Sequence, residues 1–266
     1  MLTSDQQLFV QLDGLTFSVY PFRAGDNEWT SGMTDRHWYD LGSAVRAVHD
    51  VAVDRWLTDL LPCDDPTVEK YGVLTEWDAA VQPSRGGGSA FSETWNRHRR
   101  QIHAMHQQMR QLVPSLRDQP RHDVVCHGDL HPGNVLIEDD RVHIIDWDDV
   151  LLAPRERDFI FAPHVATGDG TSLGSGGSPL PLAAAFFHGY DLPAADIDWV
   201  ALTYYRCERV VQDVIALANQ AVGTTASDAE EANRWLRYNF APGGEAEAAG
   251  AAARHLSADL DVLGQG

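Results

Sequence analysis

Asp129, Asn134 and Asp146 are the side chains whose types and spacing point most directly to chemistry, and all lie within Val124–Val150, VVCHGDLHPGNVLIEDDRVHIIDWDDV. Carboxylate and amide oxygens are ligands for a hard cation such as Mg²⁺, which also takes phosphate oxygens. If Asn134 and Asp146 hold the metal, Asp129 is left to face a substrate hydroxyl. Phosphoryl transfer requires that division of labour. His127, two residues ahead of Asp129, reads as a hydrogen-bonding support, because Asp129 already fills the role of base.

These groups need rigid elements behind them. Two apolar runs, Val135–Glu138 and Val142–Ile145, flank the acidic turn Glu138-Asp-Asp-Arg141, a pattern that predicts a hairpin with Asn134 at its head and Asp146 at its end. Helical periodicity predicts a helix over Thr34–Val48, with Thr34 as N-cap and Trp38, Leu41, Val45 and Val48 on one face. A longer helix spans Phe91–Val113, carrying Trp95, Ile102, Met105, Met109 and Leu112 inward. Its His98, His103 and His106 have no carboxylate in a metal-binding pattern and read as surface or packing residues. Pro154–Val165 is expected to be a further helix, with carboxylates in its first turn. Others are expected at about 181–189, 195–220, 226–239 and 245–262. In the longest of these, an apolar stripe from Trp199 to Leu217 leaves Glu208 and Asp213 to reach a cleft or to be solvated. Residues 50–88 read as loop-rich with short helical pieces, 85–89 as a flexible linker and 167–180 as a mobile loop. A second hairpin is predicted over 6–22 around Asp13-Gly14, ending in Tyr20-Pro21-Phe22.

HGDLHPGN followed by IDWDD resembles the catalytic core of the aminoglycoside phosphotransferase family, and LLAPRERDFIF and YYRCERVVQDV resemble its spectinomycin-phosphorylating branch. The resemblance covers roughly residues 6–220. It implies an α+β, protein-kinase-like fold: a mostly helical C-lobe with a catalytic β-hairpin, and only a remnant of the N-lobe sheet. Residues 1–22 would be that partial N-lobe with the hinge, and 23–266 the C-lobe with its catalytic loop at 124–150. By the same resemblance Asp129 is catalytic, Asn134 and Asp146 bind Mg²⁺, and the hinge near Tyr20 and Phe22 meets the base of ATP or GTP. Asp158 becomes a structural acid bracing the catalytic loop. Asp148, Asp149, Glu156, Glu208 and Asp213 are candidates to pair with the ammonium groups of an aminoglycoside or aminocyclitol, an antibiotic-resistance activity. A glycine-rich loop and a strand lysine are expected of such an N-lobe, and nothing before residue 6 supplies them; the single lysine, Lys70, lies in loop-like PTVEKYG.

With 44% hydrophobic and 22% charged residues the chain has the composition of a globular protein. No apolar run reaches the ~20 residues of a membrane span, and no secretory signal is read at the N-terminus, so a cytoplasmic location is expected. Cys63, Cys126 and Cys207 are far apart, in no metal spacing, and read as reduced thiols. A net charge of −19 argues against a nucleic-acid partner and suits a small cationic substrate. Two other readings stay open. One is a small-alcohol (choline-type) kinase; the other is a non-catalytic remnant that binds a small molecule or a partner. The open edge of the N-terminal hairpin is a candidate homodimer contact.

Overall fold

Helical faces rich in large apolar residues pack into two cores, and the segment that carries the polar motifs is anchored in the second of them. The structure is a computed structural model that describes residues 9–18, 21–27, 32–81, 89–162, 181–222 and 225–263. The predicted linker at 85–88 and the predicted loop at 167–180 lie outside these residues, as does Tyr20. In chain order the strands are β1 (Phe9–Leu12), β2 (Leu15–Ser18), β3 (Asp26–Asn27), β4 (Asp123–Cys126), β5 (Val135–Glu138), β6 (Arg141–Ile144) and β7 (Leu151–Pro154). The helices are α1 (Asp35–His49), α2 (Arg55–Leu60), α3 (Leu74–Ala80), α4 (Ala90–Asp118), α5 (Pro181–Tyr190), α6 (Trp199–Ala221), α7 (Ala226–Asn239) and α8 (Glu245–Leu263).

The main core joins α4 (Trp95, Ile102, Met109) to α6 (Tyr204, Val210, Val214), with Leu236 of α7 and Ala249 of α8 closing it. Each large side chain taken out of water contributes roughly 1.5–3 kcal/mol, so the apolar stripes decide which faces meet. A second core gathers Trp38, Leu41 and Val45 of α1, Phe186, Phe187 and Tyr190 of α5, and Phe159. Leu130 and Val135 also enter it, so the motif segment is anchored by its own apolar residues. Helices α1 and α5 cross at two glycines. A Cβ on Gly42 would lie 2.1 Å from the Phe186 carbonyl oxygen, and one on Gly189 2.0 Å from that of Tyr39. Thr34 caps α1 as its sequence predicts, its side chain accepting from His37 N–H, while His37 completes a capping box.

Among the described residues the strands form small antiparallel sheets: β1–β2, β3–β5–β6 and β4–β7. Both hairpins match their predicted turns. Asp13 and Gly14 have positive φ, as do Asp139 and Asp140 between β5 and β6. The β4–β7 pair is not predicted from the sequence. It frames the motif, β4 entering it and β7 leaving it, and Pro62 and Asp64 exchange backbone hydrogen bonds with Leu152 on β7's other edge.

The helix expected over Pro154–Val165 is instead a 3₁₀ turn, Arg155–Phe159. Its side chains are drawn to separate buried partners. Glu156 accepts from Asp198 N–H at 3.1 Å, Arg157 donates to Glu208 at 2.5 Å, and Asp158 accepts from His127 N–H at 2.8 Å. A threefold turn fans successive side chains apart in a way that suits these divergent contacts.

On the far side of α4 the buried Asp78 accepts from Trp95 Nε1 at 2.9 Å and from Arg99 Nε at 2.7 Å. Hydrogen bonds from Arg99 outweigh burial and, with that from Trp95, hold its carboxyl down to about 2. Its stabilisation is therefore present above the ordinary value of 3.8 and is lost as pH falls through about 2. Asp78→Asn is expected to lower the unfolding free energy at pH 7 by roughly 2 kcal/mol in urea titrations, with the gap to wild type closing as the pH is taken down through that window.

Candidate active site

The site is built on the segment between β4 and β7. Strand β4 delivers His127-Gly128-Asp129, and Gly128 turns the chain with a φ of 86°. A side chain there is excluded twice over, by that φ and by the Asp149 carbonyl oxygen 2.3 Å from where a Cβ would sit. Beneath the turn, the Asp158 carboxylate accepts from His127 N–H at 2.8 Å and from Gly128 N–H at 2.9 Å. His49, the last residue of α1, lies 3.0 Å from the same carboxylate through Nε2 and 2.7 Å from the Tyr190 hydroxyl through Nδ1. All of these groups are buried, so each polar atom must find its partner within the protein. Nothing local in the sequence marks His49, which closes an amphipathic helix far from the motif.

His127 is buried with its ring tilted over Trp147, and it ties the turn to β6: Nε2 donates to the Ile145 carbonyl at 2.9 Å and Nδ1 accepts from Asp129 N–H at 3.3 Å. Ile145 N–H in turn donates to the Asn134 carbonyl at 3.0 Å, which brings Asp146 beside Asn134. Asn134 is buried and its Nδ2 donates to the Asp129 carbonyl at 2.9 Å. That bond uses the donor end of the amide and leaves its oxygen as the ligand end. Asp146 follows β6 with a φ of 63° and is solvent-exposed. An amide oxygen and a carboxylate at this junction form an oxygen donor set that fits Mg²⁺.

Two openings flank the junction. A cleft of about 700 Å³ is lined by Pro21, Arg23, Val48, Val142, Ile144, Asp146, Trp147 and Asp148. A smaller cavity of about 240 Å³ is lined by His131, Arg209, Asp213, Leu217, Trp235, Tyr238, Asn239 and Glu245. Arg209 links this cavity to Asp129, donating from Nη1 to its Oδ1 at 2.6 Å while Nε lies 3.1 Å from Asp213. Burial opposes charge on Arg209, but Asp213, Glu245 and Asp129 outweigh it and raise its pKa. Burial lowers that of His131, which favours the neutral ring.

The structure therefore brings together Asp129, Asn134, Asp146, His127 and Asp158, and it sets Asp213 in the smaller cavity. Several other expectations are corrected. Glu208 does not reach a cleft: it is buried, 2.5 Å from Arg157 and 3.1 Å from Lys70, and accepts from the Tyr71 and Tyr204 hydroxyls. Burial alone would raise its carboxyl, yet Arg157 and then Lys70 outweigh that and lower it. Glu156 is buried too, holding Arg155 and the N-terminal end of α6. Asp148 lines the larger cleft, away from the cavity that holds Asp213, and Asp149 lines neither, meeting the motif through its backbone. Phe22 points its ring to solvent, 88% exposed, while its neighbours Pro21 and Arg23 line the larger cleft. Arg209, Glu245, His131, Trp235 and Tyr238 were missed by sequence reasoning. The one local signal was the i, i+4 spacing of Arg209 and Asp213, which puts both on one flank of α6, beside its stripe.

Comparison with known proteins gives this geometry a context. Residues 6–203 match the profile described as the phosphotransferase enzyme family. A search of curated proteins finds no match. Among solved structures, spectinomycin phosphotransferase APH(9)-Ia, in complex with ADP and spectinomycin, superposes with a TM-score of 0.79 at 25% identity, covering 95% of this chain and 76% of that one. Its AMP-bound complex gives 0.78, also at 25% identity, covering 94% and 77%. An aminoglycoside phosphotransferase from Alicyclobacillus acidocaldarius gives 0.60 at 17% identity over 98% and 76% of the chains. The fold is the kinase-like fold of the aminoglycoside phosphotransferases.

If Asp158 braces the motif, Asp158→Asn replaces an acceptor of two backbone bonds by a group that also donates, and is expected to cost about 2–4 kcal/mol. Hydrogen exchange reads this directly. The amides of His127 and Gly128 should lose protection beyond the global change, and unchanged protection at those two amides would show that the brace lies elsewhere.

Proposed function

The chain belongs to the phosphotransferase enzyme family, and from that membership we propose that it is an O-phosphotransferase moving the γ-phosphate of ATP or GTP to a hydroxyl of an aminoglycoside or aminocyclitol such as spectinomycin. The observation that carries this reading is the position of Asp129 and Asn134 at one junction between a large cleft and a small acidic cavity. A nucleotide fits the larger cleft, with its base toward the Pro21–Arg23 segment and its phosphates toward Asp146. A cationic acceptor fits the smaller cavity, beside Asp213. In this assignment residues 1–22 are a partial N-lobe and 23–266 the C-lobe.

Asp129 orients the acceptor hydroxyl and accepts its proton as the oxygen attacks phosphorus; the new O–P bond forms as the bond from γ-phosphorus to the bridging oxygen breaks and the diphosphate leaves. Asn134 and Asp146 would hold Mg²⁺, which when bound neutralises charge on the phosphate oxygens. His127 and Asp158 keep the turn in place and touch no reactant. Arg209 holds the Asp129 carboxylate toward the acceptor side. The membership of two acids and two aromatic rings in the acceptor cavity favours a polar cation over a neutral alcohol. Among the described residues no helix is long and apolar enough to cross a membrane.

The test is turnover by the purified chain with MgATP and spectinomycin, followed by mass spectrometry of the acceptor. A gain of one phosphoryl group is expected, and Asp129→Ala should reduce the rate by about 10²–10⁴-fold with nucleotide binding retained. Phosphorylation that survives in Asp129→Ala would remove that residue from the chemistry. Absence of transfer to spectinomycin, with transfer to another aminocyclitol in a panel, would shift the acceptor alone.

A further inference from the structure

Helix α1 and strand β6 both line the larger cleft, and one side-chain contact ties them together at the end remote from Asp146. His37 Nε2 donates to Asp140 Oδ1 at 2.6 Å, joining the first turn of α1 to the turn between β5 and β6. The imidazole is set for this by the helix cap. Its Nδ1 accepts from Thr34 N–H at 3.3 Å, which places the ring hydrogen on Nε2. Glutamate or glutamine is the usual residue at this capping position. A histidine there accepts from the cap and donates outward at the same time. Its ring is buried, so the outward N–H needs an acceptor within the protein, and Asp140 supplies one from a turn position with a φ of 62°.

The contact lies in line with the cleft. Ala44 and Val48, seven and eleven residues beyond His37, fall within about 20° of it around α1 and line the cleft. Val142 and Ile144 of β6 line it too, and they pack on the same core as Leu41. From His37 to Val48 the helix rises about 16 Å. From Asp140 to Ile145 the strand advances about 16 Å. Helix and strand thus run side by side over the same length. Each end of α1 is pinned by a histidine, His37 to Asp140 and His49 to Asp158. The remaining wall reaches the same turn, since Arg23 lines the cleft and the next residue, Ala24, donates its N–H to Glu138 Oε1 at 3.0 Å.

We propose that His37 and Asp140 are positioning residues for the nucleotide: their hydrogen bond sets the spacing between α1 and β6, and with it the width of the cleft that ends at Asp146. The inference rests on the assignment of this cleft to the nucleotide and adds the residues that hold it to size. Asp140 is 79% exposed, and a pair with one exposed partner contributes little to overall stability. What the contact fixes is the register of helix and strand. Without it the turn end of β6 is released from α1 and the walls that grip the nucleotide separate. Asp129 and its brace, held at the opposite end of α1, keep their geometry.

Three variants separate this contact from the cap and from the fold. Asp140→Gly removes the acceptor at a position whose positive φ glycine readily adopts. His37→Glu keeps a capping residue but turns a carboxylate toward Asp140. His37→Gln offers an oxygen to Thr34 N–H and an N–H to Asp140. Binding of MgADP to the full chain is measured by calorimetry, and kcat and KM for MgATP are measured with spectinomycin as acceptor. Asp140→Gly and His37→Glu are expected to weaken MgADP binding and raise KM roughly five- to tenfold, with His37→Gln restoring both. At saturating MgATP, kcat should stay within about twofold of wild type. Unchanged MgADP affinity in Asp140→Gly overturns the proposal, as does a fall in kcat equal to the fall in kcat/KM. The expected pattern of MgADP affinities without transfer to spectinomycin overturns the acceptor assignment and leaves this inference standing. No binding of MgADP by the wild-type chain overturns the nucleotide assignment, and this inference with it.

Discussion

One carboxylate holds the working geometry together. Asp158 accepts two successive backbone N–H groups, from His127 and Gly128, and is itself held by His49. Buried amides without acceptors cost about 1–3 kcal/mol each, so a turn at positive φ survives in the interior because this acceptor is present. Everything downstream follows the same chain of bonds. The turn fixes Asp129, the Asp129 carbonyl fixes Asn134, and Asn134 fixes the end of β6 where Asp146 begins. The candidate side chains are thus carried on a backbone whose geometry is fixed by buried hydrogen bonds.

A second buried ionic group separates structure from function on α6. Glu208 faces inward to Lys70, Arg157 and two tyrosine hydroxyls, whereas Arg209, one residue later, faces Asp129 and the cavity. A helix turns 100° per residue, so adjacent charges can serve separate purposes. The inward group ties the Lys70 segment and the 3₁₀ turn to α6; the outward one sets the charge around Asp129. Removing Lys70 would therefore act on the core, far from any phosphate.

What could be read from the sequence was what is encoded locally. The HGD turn, Asn134 and Asp146 lie within one hairpin, the Asp13-Gly14 turn needs only its own φ angles, and Thr34 caps the helix that follows it. Local pattern failed where a long-range partner decides. The β4–β7 pairing joins segments separated by the whole motif, and neither strand is marked until the other is in place. Glu156 and Glu208 resembled cleft residues because a charge is assumed exposed until its buried counter-ion is known. Glu245 gave no signal, since it opens an Ala- and Glu-rich helix whose docking is set by α6. His49 is a similar case: its role exists only once Tyr190 and Asp158 have been brought to either side of it.

The crossing of α1 and α5 at Gly42 and Gly189 gives the site an unequal capacity for change. His49 and Tyr190, which hold Asp158, sit at the ends of these two helices, so any added methyl at the crossing would part the helices and loosen the brace. The smaller cavity, by contrast, is walled mainly by α6, α7 and α8, which take no part in that crossing, with His131 on its remaining side. Residues such as Trp235 and Tyr238 can be exchanged without disturbing the brace. The chain is thus divided into a half in which substitution is penalised through the brace and a half in which it is not, with Arg209 joining the two through Asp129.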